Sequence, residues 1–207
     1  MKTIIFFTLL IAGIVQAQEN ANYTITINGE TFDYSLDNDF EYNVKKKGNL
    51  IITISQKDVL NYNDGIVTFN YNKNFPVTEI PEEDGIKQIT IISPTGSGII
   101  LQEYSDFDPA LMIDLMLNEV TKESIDYGYI ETTSEVEIKI KDGKTLTGKK
   151  SILEYQGAID EWIVVSYSWK DSGIIIVSMN IDKSSTDNSG NINLEDFFNS
   201  LEIIKQN

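Results

Sequence analysis

The sequence contains no cysteine, no histidine and no arginine. Without histidine there is no imidazole to act as a general base, so a Ser-His-Asp triad is excluded. Without histidine and cysteine, the chain has no ordinary ligands for zinc, copper or haem. The lack of cysteine also excludes disulfides and lipid attachment at a cysteine. Carboxylates are the main acid–base groups that remain.

Positive charge is also scarce. The chain has 16 basic residues, all of them lysine, against 32 Asp and Glu, for a formal net charge of −16 over 207 residues. A surface this acidic repels nucleic acid and anionic lipid headgroups. A hydrophobic content of 41% argues against disorder and for a folded chain. The composition therefore predicts a globular protein that does not bind nucleic acid.

Residues 1–17 have the pattern of a secretory signal peptide. Lys2 precedes an apolar stretch from Ile4 to Ile14, and the tripeptide Val15-Gln16-Ala17 has compact residues where signal peptidase cuts. The stretch is roughly half of the about 20 apolar residues that a membrane-spanning helix needs. The sequence predicts cleavage after Ala17, an extracytoplasmic (periplasmic or secreted) location, and no membrane insertion of the mature chain.

The mature chain is predicted to open with a β-hairpin. Asn28-Gly29 separates two segments of alternating apolar and polar residues, and both turn residues tolerate positive φ. A two-residue turn at this position pairs Ile25 with Phe32 and Tyr23 with Tyr34 on one apolar face.

A second hairpin is predicted to join Phe40–Val44 to Leu50–Ser55 around the basic turn Lys45–Lys47. Three lysines at a turn are explained better by solvation than by an anion site. The polar segment Asn61–Gly65 marks a boundary, which divides the mature chain into an amino-terminal β segment, residues 18–60, and a main domain, residues 61–207.

The main domain is predicted to contain strands at about ten-residue spacing and one long helix. Asp108 followed by Pro109 is typical of a helix start, and apolar residues recur at helical spacing from Ala110 to Ser124. Four strands and a short helix capped by Asn193 follow. Two of these strands, Ile159–Trp169 and Ile174–Ile181, are apolar on both faces, so they are predicted to form a central hairpin with a helix over a shared face that carries Val165 and Val177.

The order from Asp64 onward, over about residues 64–205, resembles the PsbP-like families. The matching segments are Gly65–Tyr71, Ile89–Pro94, Thr147–Lys150 and Phe198–Ile203. Asn72 and Phe75 depart from the family pattern, which commonly has Pro and Trp there. The resemblance implies an α+β fold, an antiparallel β-sheet with helices packed on its faces, here preceded by the amino-terminal β-hairpin segment. It also implies an accessory or assembly role without catalysis.

Carboxylate pairs and clustered aromatics are the remaining candidates for a site. The carboxylate groups are Asp106 with Asp108, Glu82 with Glu83 and Asp84, Glu135 with Glu137, and Asp160 with Glu161. A glycosidase needs two carboxylates across a cleft, but caps, turns and solvated strand faces explain these groups. The aromatics of the amino-terminal strands suit either a sugar platform or a small core; they are Tyr23, Phe32, Tyr34, Phe40 and Tyr42.

The segment Ser185–Asp196 has the spacing of an EF-hand-type calcium loop, with Gly190 at its sixth position. Ser at position 1 and Asp at position 12 weaken the match, and a linker followed by the Asn193 helix cap explains the same residues. No catalytic, cofactor or metal residues are therefore predicted. The sequence favours a non-enzymatic accessory or protein-interaction module whose partner is another extracytoplasmic protein, with a carbohydrate- or calcium-binding module as the alternative.

Overall fold

The computed structural model describes residues 22–35, 39–42, 50–181 and 192–204, without the side chains of Glu82 and Glu83. Within these residues the chain forms strands, two α-helices and a short 3-10 helix. In chain order the elements are β1 (Tyr23–Ile27), β2 (Glu30–Tyr34), β3 (Ile52–Gln56), β4 (Val59–Asn63), β5 (Val67–Asn72), β6 (Val77–Glu83), β7 (Ile86–Ile92), β8 (Gly98–Tyr104), the 3-10 helix (Pro109–Met112), α1 (Ile113–Tyr127), β9 (Ile130–Lys139), β10 (Thr145–Tyr155), β11 (Ala158–Trp169), β12 (Ser172–Asn180), α2 (Leu194–Ser200) and β13 (Glu202–Ile203). The sequence 1–17 and the turn Lys45–Lys47 lie outside the described residues.

A seven-stranded antiparallel sheet forms the centre of the molecule. Its strand order is β6-β7-β8-β12-β11-β10-β9. The predicted central hairpin is confirmed, because β11 pairs with β12 in the middle of this sheet. The predicted placing of Val165 and Val177 on one shared face is wrong, because Val165 lies opposite Ile176, whereas Val164 lies opposite Val177. Since neighbouring residues of a strand point to opposite faces, Val165 and Val177 face different layers.

One face of the central sheet packs against a second sheet and the short helix α2. The second sheet has the order β13-β5-β4. Phe69 on β5 and Phe197 on α2 meet with ring centroids 5.0 Å apart. Both belong to the same buried cluster as Val165, Ile174 and Ile176 of the central strands. This cluster is the main core.

The other face of the central sheet carries α1. Leu117 of the helix is buried with Val164, Ile175 and Val177 of the central strands. The predicted cap is confirmed, because the Asp108 carboxylate accepts a hydrogen bond from the backbone N–H of Ala110 at 3.0 Å. The helix enters through the 3-10 turn Pro109–Met112 before it becomes α-helical.

The predicted α+β class is wrong: the described chain is mostly β. Its α-helices contribute 15 residues in α1 and seven in α2, and the large antiparallel sheets dominate the architecture. The reason lies in what covers the main core. That face of the central sheet is covered chiefly by β4, β5 and β13, where the resemblance implied helices.

The amino-terminal residues form a separate three-stranded sheet of order β2-β1-β3. The first predicted hairpin and its register are confirmed, since Ile25 pairs with Phe32 and Tyr23 with Tyr34. The second predicted hairpin is wrong in its described part, because residues 39–42 form no strand and β3 pairs with β1. The chain then continues into β4, which pairs with β5 across the turn at Asp64-Gly65.

Two glycines inside the strands mark very close approaches of neighbouring backbones. A Cβ atom at Gly148 on β10 would lie 2.0 Å from the carbonyl oxygen of Val164 on β11. A Cβ atom at Gly98 on β8 would lie 2.4 Å from the carbonyl oxygen of Ile91 on β7. Only glycine fits at such distances.

Candidate interaction surface and ligand pocket

The described side chains of the carboxylate pairs do not form a two-carboxylate cleft. Asp108 is the helix cap and also accepts a hydrogen bond from the Ser168 hydroxyl at 2.5 Å. Asp160 and Glu161 are consecutive on β11 and therefore point to opposite faces of the sheet.

The acidic group Glu82–Asp84 lies at the turn between β6 and β7, and Asp84 adopts a positive φ of 52° there. Glu135 and Glu137 are exposed on the edge strand β9. Asp84, Asp108, Glu135 and Glu137 therefore occupy the turn, cap and exposed strand positions that the sequence predicts for them.

The amino-terminal aromatics pack against one another. The Phe32 ring lies 5.3 Å from Phe40 and 5.9 Å from Tyr42, with tilted and edge-on geometry. Phe40 also meets Tyr34 edge-on at 6.2 Å. Aromatic rings that pack edge-on against one another do not form the flat surface on which a sugar ring stacks.

Most of the proposed calcium loop, residues 185–191, lies outside the described residues. Its last part serves the helix: the Asn193 side-chain oxygen accepts hydrogen bonds from the backbone N–H groups of Glu195 at 3.1 Å and Asp196 at 3.3 Å. The predicted cap is thus confirmed. Within the ranges that the structure describes, no three Asp, Glu, His or Cys residues lie together as metal ligands.

The first unusual feature is an exposed apolar segment on the amino-terminal sheet. Ile51, Ile52 and Ile54 are 69%, 54% and 59% exposed, whereas Ile25 and Ile27 on the neighbouring strand β1 are 5% and 2% exposed. Ile52 and Ile54 share a face with those buried isoleucines through the pairing of β1 with β3. We call Leu50–Gln56 the apolar edge.

The apolar edge has no charge over its seven residues, Leu-Ile-Ile-Thr-Ile-Ser-Gln. Among the described residues its strand, β3, pairs with β1 alone and lies at the border of its sheet. Four other sheet borders carry charge or proline: β2 carries Glu30 and Asp33, β6 carries Glu79 and Pro81, β9 carries glutamates and β13 carries Glu202. The border strand β4 is uncharged, but its backbone is bonded at Asn61 by the Asn22 side chain, which accepts from the Asn61 N–H at 2.8 Å and donates to the Asn61 carbonyl at 3.2 Å. Charges and proline are the usual means of preventing strand addition, and the apolar edge lacks both.

The second feature is a group of polar side chains at one end of the main core. Asp64, at the turn between β4 and β5, accepts hydrogen bonds from the backbone N–H groups of Ile66 at 2.9 Å and Val67 at 3.0 Å. This turn brings its carboxylate to Lys87 on β7, whose Nζ lies 2.5 Å from Asp64 Oδ2. The Tyr62 hydroxyl joins them, accepting from Lys87 at 3.0 Å and donating to Asp64 at 3.2 Å.

These contacts shift the pKa values of the group. Burial alone would raise the pKa of the Asp64 carboxyl. Hydrogen bonds from Lys87 and from the backbone N–H groups together have the larger effect, and they hold this pKa below its usual range. Burial likewise opposes the charge of Lys87, yet its bonds to Asp64 and Tyr62 leave its pKa raised. Asp64 and Lys87 therefore form an ion pair over the whole physiological pH range.

Glu103 on β8 lies directly opposite Lys87 in the strand pairing. It is 5% exposed, and no donor among the described residues bonds either of its carboxyl oxygens. Burial raises the pKa of the Glu103 carboxyl to about 8, and both the negative charge of Asp64 and a hydrogen bond from the protonated acid to Asp64 add to the shift. At neutral pH the group is therefore mostly protonated.

A cavity of about 210 Å³ opens next to Glu103. It is also lined by Lys87, by Trp169 and Lys170 at the end of β11, and by Ser172 on β12. Sequence reasoning missed this pocket, although one signal was present. Glu103 continues the inward positions Ile99 and Leu101, and a charged residue at an inward position is unexpected.

No protein-family model matches the chain, and no curated protein matches it significantly. The resemblance to the PsbP-like families stays a prediction. In the part of the chain that the structure covers, no helix is long and apolar enough to span a membrane.

Proposed function

We propose that the protein is a non-enzymatic protein-interaction module that acts outside the cytoplasm and binds another protein through the apolar edge. The observation that carries this proposal is the exposure of Ile51, Ile52 and Ile54 on an uncharged border strand. The location rests on the signal-peptide pattern of residues 1–17.

The mode of binding that suits this surface is strand addition. A border strand offers backbone N–H and C=O groups to an extended segment of a partner, and alternate side chains supply specificity. Ile52 and Ile54, on one face, suit a partner segment with apolar residues at every second position. Among the described sheet borders, the others carry acids or proline, or in β4 have backbone groups bonded by the Asn22 side chain, so the apolar edge is the border that best permits this mode.

The partner is a different protein rather than a second copy of this chain. Two copies each carry a net charge of −16, and this mutual repulsion opposes their association. A neutral or basic partner meets no such barrier. The partner is therefore an extracytoplasmic protein with an extended, apolar and uncharged or basic segment.

The experiment compares the mature protein with two variants as bait for the extracytoplasmic fraction of its native cell. Ile52→Lys places a charge on the apolar edge, and Ile130→Lys is the matched control because Ile130 is an exposed isoleucine on the border strand β9. We expect one protein to be retained by the native chain and by Ile130→Lys and lost with Ile52→Lys. With that protein purified, hydrogen exchange at residues 51–56 should slow in the complex.

Two results would contradict the proposal. The first is a partner whose retention is unaffected by Ile52→Lys. The second is sedimentation showing that the native chain alone forms a dimer that Ile52→Lys dissociates, which would assign the apolar edge to self-association.

A further inference from the structure

The carboxyl oxygens of Glu103 are buried beside a cavity with no donor to them among the described residues, which is costly for the ionised group. The protonated acid can donate a hydrogen bond to the Asp64 carboxylate, but Asp64 has no proton to donate to Glu103 once Glu103 is ionised. A ligand that enters the cavity can supply the missing interaction. This pocket belongs to other elements than the apolar edge, so the inference goes beyond the proposed interaction with a protein.

Lys87 lies opposite Glu103, but all three N–H donors of its ammonium group already have acceptors nearby. An ammonium has three N–H donors, and three acceptors surround this one: Asp64 at 2.5 Å, the Tyr62 hydroxyl at 3.0 Å and Glu79 at 3.3 Å. The lysine therefore neutralises Asp64 and leaves Glu103 without a counter-ion of its own.

We infer that the cavity binds a small organic ammonium ion, with the Glu103 carboxylate as its counter-ion and the Trp169 indole as its aromatic wall. Carboxylate and indole together are suited to ammonium groups, since a cation is attracted both to a negative charge and to the face of an aromatic ring. The cavity of about 210 Å³ is smaller than the roughly 300–1,000 Å³ typical of pockets for drug-sized ligands. A ligand with few heavy atoms fits it.

The charges around the cavity also favour a cation over an anion. With Glu103 ionised, three carboxylates, Asp64, Glu79 and Glu103, face Lys87, and Lys170 lies at the lining. The three negative charges outnumber the two positive ones, and the field of the whole molecule adds to the attraction.

A neutral ligand such as a sugar is distinguished from an ammonium ion by the proton on Glu103. An ammonium ion stabilises the ionised carboxylate, so at pH 7 its binding releases about one proton for each bound ligand. A sugar hydroxyl can hydrogen-bond to the protonated acid and releases none. Proton release is measured by calorimetry in two buffers of different ionisation enthalpy.

The probes are propylammonium chloride, the neutral isostere 1-butanol, sodium butyrate and glucose, each titrated into the mature protein. We expect propylammonium to bind with a millimolar dissociation constant and release of a proton, and the other three not to bind. Glu103→Gln should weaken propylammonium binding at least tenfold, whereas Glu123→Gln, a neutralised exposed carboxylate on α1, should leave it unchanged. Trp169→Leu should weaken binding by a smaller factor.

Circular dichroism and the thermal melt of each variant establish that it is folded. Three outcomes would overturn the inference: no binding of propylammonium at saturating millimolar concentration, equal binding of glucose or butanol, or unchanged binding in Glu103→Gln. Release of no proton by the native protein would exclude Glu103 as the counter-ion.

Discussion

The isoleucines of β12 are buried in the middle of the central sheet, whereas those of β3 are exposed on the border of the amino-terminal sheet. In the central sheet, Ile174, Ile175 and Ile176 follow one another on β12 and are all completely buried, because a second sheet covers one face and α1 the other. In the amino-terminal sheet, Ile52 and Ile54 on β3 are more than half exposed. The same residue type is thus core in one place and surface in the other, and whether the individual strand is covered decides which, since Ile25 and Ile27 on the neighbouring strand β1 are buried. An apolar strand identifies an interaction surface only where no layer covers it.

The largest loss of stability is expected where a side chain is added at a glycine between two closely spaced strands of the central sheet. Gly148→Val should destabilise the protein by about 3 kcal/mol or more, because β10 and β11 must separate to admit the new side chain. Thr147→Val, at an exposed neighbouring position, is the control and should have little effect. The free energy of unfolding from denaturant melts measures both. A mild effect of Gly148→Val would mean that the two strands are farther apart than described.

The second test compares the covered and uncovered regions directly. Val165→Ala and Val177→Ala should each reduce the free energy of unfolding by about 1–3 kcal/mol, through lost burial and a cavity. Ile54→Ala removes more side chain but should change stability by less than about 0.5 kcal/mol. Equal losses at all three positions would mean that β3 is covered in solution. A large loss at Val165 with none at Val177 would mean that α1 does not cover its face of the sheet.

The third test concerns the pH dependence of stability. Glu103 has a folded-state pKa of about 8, above the ordinary glutamic acid value of 4.5, so between these values the folded state binds more protons than the unfolded state. The free energy of unfolding must therefore fall as pH rises from about 5 to 8. Neither Asp64, with its lowered pKa, nor Lys87, with its raised pKa, titrates in this window.

Because the chain has no histidine and no cysteine, Glu103 and the terminal amine, with a pKa of about 7.7–8.0, are the groups expected to titrate in that window. We expect the melting temperature of the native protein to fall by several degrees between pH 5 and pH 8. Glu103→Gln should remove most of this slope, whereas Glu123→Gln should keep it. A flat profile for the native protein would contradict the raised pKa.

The alternation of residues was sufficient to predict most strands, and particular turns fixed their pairing. Asn28-Gly29 determined the register of β1 with β2, and apolar residues on both faces placed β11 and β12 in the centre. The pattern of a strand shows that a face is covered but does not show whether a helix or a sheet covers it. For this reason β4 and β5 were not expected to form the second layer, and the fold class was wrong.

The pocket could be anticipated only in part. Glu103 and Lys87 occupy inward positions of β8 and β7, and charged residues there are a detectable anomaly. Their relation to Asp64 depends on how the β4–β5 turn packs over the end of the central sheet, which no local pattern encodes. Asp64 alone had the sequence appearance of an ordinary turn residue.

The glycines of the central sheet have a consequence for how the chain folds. In an antiparallel sheet of long strands, sliding one strand by two residues keeps every apolar side chain on its face, so hydrophobicity alone does not prevent such misaligned states. At Gly148 a slide by one or two residues would bring a residue with a Cβ atom into a space that admits none. Gly98 applies the same restriction between β7 and β8. The two glycines thus disfavour shifted strand registers that the burial of apolar side chains alone would allow.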